Sequence, residues 1–449
     1  MPLSRLINVK GDLFATAFTF GLQALIRLVS SLVLTRVLVP EDYGTISILL
    51  SILYVVGNIV DTNVTIFIVR DPNAEQPRYI NTAWTIRLSR SILSCAVLFA
   101  VAPLIATGIY HLPSLTLPLR VFSFWFLIDG FESMAFALAV RRKKARLQMY
   151  CELGSNIVAT AFSIAYCYRY HTFWGIAFSM LLNRLILTVL SHLFYRELRP
   201  RFALDLTAAR EILSFSKFTI PSSFLTLALN QFDKTIFLRL FDLGLLGIYG
   251  LAGNIAGSIE GVISKVSQSV LYPRIAHNFR EHPDTATTRY YTENVKLFAG
   301  IIAMPAAVCG AAHFLITLLY NSRYAAAGSV LQALALRTLL ISFASPAEDL
   351  LISTGRYHVI LIGNILKAAS IVTGSLLGYY FFGFLGFVYG IALSTLGPLA
   401  YYLWLQKKNG LLIARYELYK VAFALAIVAL SYLGSTLFLT LLPGFTLKR

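Results

Sequence analysis

Long apolar runs are the feature that most constrains this chain. Mostly apolar segments of about 18 residues or more recur throughout the 449-residue sequence, and each can cross a hydrocarbon core of roughly 30 Å as a helix. The chain is 57% hydrophobic and 13% charged, with a mean hydropathy of +0.71, whereas soluble domains carry about 25% charged residues. The sequence therefore predicts an all-α, polytopic membrane protein.

The apolar runs predict thirteen membrane-spanning helices. The first run is too long for the core of a cleavable signal peptide, so we expect it to remain in the protein. The expected spans lie near 12–37, 44–69, 81–109, 116–140, 148–168, 172–195, 213–240, 245–270, 292–320, 326–354, 358–382, 384–406 and 418–442.

Basic residues divide the connecting loops into two classes. A single alternation of the loops places every Lys- and Arg-rich loop on one side, including the run RRKK at 141–144 and the loops 196–210 and 274–289. By the positive-inside rule this side is the cytoplasm, so we expect a cytoplasmic N-terminus. The same rule accounts for the net charge of +17. Because no nucleic-acid-binding module interrupts the spans, we expect no nucleic-acid partner.

A short internal repeat links the two halves of the chain. Arg-Val-Leu at 36–38 followed by Gly44 recurs with the same spacing as Arg-Leu-Phe at 239–241 followed by Gly247. One copy lies between the first and second expected spans, and the other lies between the seventh and eighth. Six spans therefore separate the two copies. The pattern indicates two equivalent six-helix units related by a pseudo-twofold axis along the membrane normal, a known transporter arrangement.

Charged residues inside the spans are the candidate functional residues, because they are costly in lipid and usually face a polar interior or a partner. One interpretation is a water-filled cavity, with cations for an anionic head group and acids for ion coupling; the other is a set of interhelical ion pairs. Asp129 and Glu132 share one helical face by their i, i+3 spacing. The substrate-binding candidates are Arg27, Arg184, Lys234 and Arg337, and the ion-coupling candidates are Asp61, Asp129, Glu132 and Glu260. For Lys367, Glu348 and Asp349, side chains that extend to the membrane surface are an equal alternative.

Enzyme chemistry has little support in the sequence. Zinc-protease, P-loop, nucleophile-elbow and dinucleotide-binding motifs are absent, so we expect a non-enzyme without cofactor or metal. A membrane glycan polymerase or ligase would be expected to carry acids or histidines in a large extracytoplasmic loop, and none of the loops is large. The sequence also places Gly253, Gly257 and Gly261 on one face of a span, a pattern typical of close helix packing.

Several stretches resemble the polysaccharide transporter family of oligosaccharide-lipid flippases, within the multidrug/oligosaccharidyl-lipid/polysaccharide exporter superfamily. Their order and spacing extend over residues 1–406. The stretches are LTRVLVPEDYG at 34–44, NQFDK at 230–234 leading to LGIY at 246–249, SQSVLYPR at 267–274, LLY at 318–320, LQALA at 331–335 and STGR at 353–356.

The resemblance implies two six-helix bundles around a central cavity, at 1–200 and 201–410, with an additional transmembrane segment at 411–449. It implies transfer of undecaprenyl-diphosphate-linked repeat units across the bacterial cytoplasmic (inner) membrane for O-antigen, capsule or exopolysaccharide synthesis. Because no ATP-binding motif is present, alternating access would be coupled to H+ or Na+. The implied partners are the lipid-linked oligosaccharide, membrane lipid and a polysaccharide polymerase complex.

The family commonly has twelve or fourteen spans, so an expected thirteen is a departure that leaves the side of the C-terminus open. Three alternatives to a flippase also stay open: a multidrug/cation antiporter of the same superfamily, a membrane glycan polymerase or ligase, and a non-transporting scaffold.

Overall fold

A computed structural model describes residues 19, 21–59, 64–70, 74–142, 145–193, 201–214, 237, 240–356 and 358–441. The chain divides into two compact units, Met1–Gly244 and Leu245–Arg449. The sequence-based division at 200 and 410 stays a prediction. The expected span at 12–37 lies partly outside the described residues, and the expected span at 213–240 lies largely outside them.

The described part of the first unit is built from helices. They are α1 (Gly21–Leu34), α2 (Pro40–Ile59), α3 (Val64–Arg70), α4 (Pro77–Leu104), α5 (Thr116–Gly130), α6 (Ala135–Arg141), α7 (Ala145–Tyr170), α8 (Trp174–Leu193) and α9 (206–214). A π-helical turn, Ile105–Ile109, continues α4.

The start of α2 follows from local sequence chemistry. Pro40 opens the helix, and Glu41 and Asp42 occupy its first turn, where acids favour the positive end of the helix dipole. The Asp42 carboxylate accepts a hydrogen bond from the backbone N–H of Val39 at 3.3 Å. The chain therefore turns between the expected spans 12–37 and 44–69.

The second unit begins within the first turn of α10, and its described residues form helices joined by turns. Its helices are α10 (Leu243–Val266), α11 (Tyr272–Glu281), α12 (Ala286–Glu293), α13 (Val295–Leu319), α14 (Ala327–Ser353), α15 (His358–Leu393), α16 (Leu396–Lys408) and α17 (Ala414–Leu441). A π-helical turn, Ser267–Leu271, joins α10 to α11.

A glycine turn divides α15 into two antiparallel arms. Gly383 has φ 61° and ψ −139°, a backbone conformation open to glycine and strained for other residues. The arms approach closely because their facing positions also lack side chains: a Cβ on Gly378 would overlap the carbonyl oxygen of Gly386. The turn lies where the sequence separates the spans 358–382 and 384–406. By contrast, no described atom lies within 4 Å of a Cβ placed on Gly253, Gly257 or Gly261, so the described residues do not contain the predicted packing partner.

Seven helical stretches among the described residues are long and apolar enough to cross a membrane, with α15 and α16 counted as one stretch. An eighth is obtained if the bent pair Pro113–Gly130 and Ala135–Arg141 is a single span. The all-α membrane fold class is confirmed, while the number of thirteen spans stays a prediction.

The last helix, α17, is a packed part of the second unit. Its 28 residues extend about 42 Å at 1.5 Å per residue, more than a hydrocarbon core requires. It packs on α13, where a Cβ on Gly310 would overlap the carbonyl oxygen of Val428. Most of its apolar surface is nevertheless exposed in the structure, as expected for a lipid-facing helix.

Candidate functional site

Two helices of the first unit carry complementary charges at the same spacing. Arg87 and Arg90 lie one turn apart on α4, Asp129 lies on α5, and Glu132 follows the end of α5. The Arg87 Nη2 atom lies 3.3 Å from Asp129 Oδ1 and 3.2 Å from Glu132 Oε2. The Arg90 Nη2 atom lies 4.0 Å from Asp129 Oδ2. Arg87 and Arg90 share a helical face by their i, i+3 spacing. The shared helical face expected for Asp129 and Glu132 is not formed, because α5 ends at Gly130; a turn, with the Glu132 N–H donating to the Asp129 carbonyl at 3.1 Å, brings the two carboxylates together instead.

A third guanidinium reaches the same carboxylates from α8. Arg184 forms an ion pair with Asp129, and its Nη2 atom lies 2.5 Å from Glu132 Oε2. We call Arg87, Arg90, Asp129, Glu132 and Arg184 the charged cluster. It joins the neighbouring helices α4 and α5 to α8, which is distant from them in the sequence.

The charged cluster lies at a break in the span expected at 116–140. The chain leaves α5 after Gly130 and resumes as α6 at Ala135, with a bend of 55°. Side chains of α8 bond the backbone groups exposed by this break: Thr188 donates to the Ile128 carbonyl at 3.0 Å, Ser191 accepts from the Ser133 N–H at 3.0 Å, and His192 Nε2 lies 2.8 Å from the Phe131 carbonyl. Broken helices of this kind border binding sites in transporters.

Burial makes these charges interdependent. The Arg87, Asp129 and Glu132 side chains are each 11% exposed, and those of Arg90 and Arg184 are 18% and 20% exposed. The charged cluster thus contains three guanidinium groups and two carboxylates. A buried side chain keeps its charge when it is paired with an opposite charge. Removing one partner strongly destabilises the protein, because the other charge is left buried and unpaired.

A cavity of about 270 Å³ opens beside the charged cluster. We call it the charged cavity. Its polar lining combines Arg87, Arg90 and Asp129 with Asn58 and Thr65, and its apolar wall includes Trp125. The arrangement can bind an anionic group, because two of the guanidiniums border open space.

A second cavity of about 280 Å³ lies between α1, α5, α7 and α8. We call it the polar cavity, because its polar lining consists of Ser, Thr and Asn side chains. Trp125 lines both cavities. The guanidinium carbon of Arg184 lies 5.4 Å from the centre of the Trp125 ring, a cation–π distance.

The structure brings three of the predicted site residues together and places others apart. Arg184, Asp129 and Glu132 all belong to the charged cluster. Arg27 lies exposed on α1, three residues before Ser30, which lines the polar cavity. Asp61 and Lys234 lie outside the described residues.

Arg337 and Glu260 belong to a separate group of charges in the second unit. Lys367 on α15 interacts electrostatically with Arg337, Glu260 and Glu348. Next to Glu348, the Asp349 carboxylate accepts a hydrogen bond from Ser267 in the π-helical turn. The sequence predicts these residues to be charges inside spans. In the structure Arg337, Glu260 and Glu348 lie close enough to Lys367 to interact electrostatically with it.

The sequence prediction missed Arg87 and Arg90, although both lie within an expected span. Their i, i+3 spacing matches that of Asp129 and Glu132 on the next span. Adjacent spans joined by a short turn pack side by side, so matched spacing of opposite charges was an available signal.

Comparison with known proteins identifies the family. Residues 33–329 match the family model described as "Polysaccharide biosynthesis protein". The chain belongs to this family. Within it, the chain is similar to WzxC of Escherichia coli strain K12, named a lipopolysaccharide biosynthesis protein, with 21% identity over 86% of this chain and 77% of WzxC.

Two further similarities extend over most of the chain. ExoT of Rhizobium meliloti strain 1021, named a succinoglycan biosynthesis transport protein, is 21% identical over 81% of this chain and 72% of ExoT. Among solved structures, the lipid II flippase MurJ in an inward closed conformation superposes with a TM-score of 0.70 at 12% identity, covering 96% of this chain and 98% of MurJ. This polysaccharide biosynthesis protein therefore has the MurJ fold.

Proposed function

We propose that this protein is a flippase that moves undecaprenyl-diphosphate-linked oligosaccharide repeat units across the bacterial cytoplasmic membrane for surface polysaccharide synthesis. The observation that carries the proposal is that two guanidinium groups of the charged cluster, those of Arg87 and Arg90, line the charged cavity. A guanidinium group can bind two phosphate oxygens at once through charge-assisted hydrogen bonds. A diphosphate presents such oxygens on two adjacent phosphorus atoms.

The names of the similar proteins support the same substrate class. WzxC and ExoT are named for the biosynthesis of lipopolysaccharide and succinoglycan, and MurJ is named a lipid II flippase. A cationic-drug antiporter is disfavoured, because the guanidinium groups of Arg87 and Arg90 line the charged cavity. A glycan polymerase or ligase is disfavoured by the short extracytoplasmic loops expected from the sequence.

Asp129 and Glu132 also suggest how transport is coupled to an ion. The two carboxylates pair with Arg87 and Arg184. A bound diphosphate competes for the same guanidiniums and releases the carboxylates, which can then bind the coupling cation because a buried, unpaired carboxylate is costly. Substrate binding and cation binding would thus be linked within one cluster.

The remaining roles are part of the same proposal. Arg27 and Arg337 would contact the anionic substrate, and Glu260 would take part in ion coupling beside Lys367. The protein would lie in the inner membrane with a cytoplasmic N-terminus, as the distribution of basic loops indicates. Alanine variants of Arg27 and Arg337 should lose polysaccharide export while keeping normal membrane levels. Arg184→Ala should lose export as well.

The direct test uses purified protein and two lipids that differ only in the head group, undecaprenyl diphosphate and undecaprenol. Wild-type protein should bind the diphosphate and not the alcohol. Arg90→Gln should weaken diphosphate binding and abolish translocation of the lipid-linked repeat unit in proteoliposomes. The matched control is Arg169→Gln, because Arg169 is exposed at the end of α7. Equal binding of both lipids, or wild-type translocation by the Arg90 variant, would overturn the proposal.

A further inference from the structure

The polar cavity is built by two matched helical stripes. Asn156, Thr160 and Ser163 follow one another along one face of α7, and Ser179 and Asn183 lie along one face of α8. Positions separated by three, four and seven residues share a face of a helix. The polar side chains are therefore directed into one space within otherwise apolar helices.

These side chains keep hydrogen-bonding capacity toward the polar cavity. The Asn183 amide nitrogen donates to Asn156 Oδ1 at 3.0 Å and to Ser155 Oγ at 3.3 Å. Among the described residues this bonding leaves the Asn183 oxygen, an acceptor, and the Asn156 amide nitrogen, with two N–H donors, for a ligand. The Ser163 hydroxyl is buried beside the Cys167 thiol and has no nitrogen or oxygen partner among the described residues. Unmet donors and acceptors in an apolar span favour a ligand rich in hydroxyl groups.

The lining of the polar cavity contains no ionisable side chain among the described residues, whereas the charged cavity is lined by Arg87, Arg90 and Asp129. Trp125 separates the two spaces and lines both. The C–H face of a pyranose ring packs well on an indole face, because the aromatic face carries partial negative charge. A neutral, hydroxyl-bonding space with an aromatic wall suits a sugar.

Size and position fit the same ligand. At about 280 Å³ the polar cavity approaches the lower end of small-molecule pockets, roughly 300 Å³, which is room for one sugar ring. In a lipid-linked glycan the first sugar is bonded directly to the diphosphate. A sugar subsite must therefore adjoin the diphosphate subsite, and these two cavities share a wall.

We propose that the polar cavity binds the sugar bonded to the diphosphate, with Asn156, Thr160, Ser163 and Asn183 meeting its hydroxyl groups and Trp125 supporting its ring. This inference rests on the proposed function, since it assumes a diphosphate in the charged cavity. It assigns recognition of lipid and of sugar to different residues of the first unit.

The test compares undecaprenyl diphosphate with the same lipid carrying its repeat unit, isolated from membranes of the source organism, on the full-length protein. Wild-type protein should bind the glycosylated lipid more tightly. In Thr160→Val and Asn183→Leu this advantage should disappear, with binding about tenfold weaker, as expected for one or two lost buried hydrogen bonds. Binding of the bare lipid should be unchanged. Thr373→Val, the same change at an exposed position of α15, should behave as wild type.

A second measurement uses wild-type protein alone, so that it does not depend on whether the variants fold. In wild-type protein, hydrogen–deuterium exchange along 156–163 and 176–183 should slow with the glycosylated lipid and not with the bare lipid. Equal binding of the two lipids by wild-type protein, retained sugar preference in folded variants, or equal exchange would overturn the sugar subsite. Failure to bind even the bare lipid would instead contradict the proposed function.

Discussion

Arg184 and Trp125 are in cation–π contact, with the guanidinium carbon 5.4 Å from the centre of the indole ring. Arg184 pairs at the same time with Asp129 and Glu132, and Trp125 lines both cavities of the first unit. Asn183, the residue before Arg184, lines the polar cavity. A single turn of α8 therefore connects the charged cluster to the polar cavity.

Competition between the carboxylates and the diphosphate predicts tighter lipid binding by a double carboxamide variant. Because Asp129 and Glu132 pair with Arg87 and Arg184, Asp129→Asn combined with Glu132→Gln should raise the affinity for undecaprenyl diphosphate, since the guanidiniums no longer leave a carboxylate to bind phosphate. Calorimetric titration measures the affinity, and unchanged or weaker binding by the variant would contradict the competition.

Arg184 and Asp129 should be energetically coupled. Replacing one member of a buried ion pair costs about 3–5 kcal/mol, because the other charge is left unpaired. Arg184→Gln and Asp129→Asn should each lower the free energy of unfolding, while the double variant should lose less than the sum, with a coupling of about 0.5–3 kcal/mol. Unfolding titrations in detergent micelles test this, and strictly additive losses would show that the pair is not formed.

Close packing of the α15 arms predicts that a side chain at position 378 lowers the stability of the protein. A methyl group there would overlap the Gly386 carbonyl, so Gly378→Ala should destabilise the protein by about 1–3 kcal/mol, the usual cost of overpacking. The control is Gly434→Ala on α17, where no described atom lies within 4 Å of the added Cβ. Thermal unfolding in detergent distinguishes them; equal melting temperatures would argue against the α15 hairpin.

Lys420 should anchor α17 to α12 and α13 within the second unit. Its ammonium lies 4.1 Å from the centre of the Phe298 ring and 2.8 Å from Glu417 Oε1, with the rings of Tyr290 and Tyr291 also facing it. Lys420→Met should cost about 2 kcal/mol, the value of a desolvated cation–π contact.

The matched control for Lys420 is Lys407→Met, because Lys407 is exposed at the end of α16. Limited proteolysis between α16 and α17 should accelerate in the Lys420 variant alone. Equal cleavage of wild type and both variants would show that Lys420 does not anchor the helix.

The residues of the site differ in how far the sequence could predict them. Asp129 and Glu132 are recognisable from the sequence as charges three positions apart, although α5 ends before Glu132 and a turn, not a helical face, brings them together. Arg184 was recognisable as a deep charge, but its two interpretations, cavity lining and ion pair, could not be separated along one helix. In the structure Arg184 is in ion pairs beside Trp125, and Arg87 and Arg90 supply the cavity edge.

The membrane class, most helices and the turn near Gly383 could be read from the chain alone, because hydropathy, helix-start residues and glycine preferences act over a few neighbouring residues. The break after Gly130 could not, since its exposed backbone groups are bonded by Thr188, Ser191 and His192 of another helix. The charged cluster also depends on packing, because Arg87 and Arg184 approach Asp129 from 42 and 55 positions away. Local patterns decide which segments enter the membrane; only the meeting of distant helices decides which charges pair and where a cavity remains.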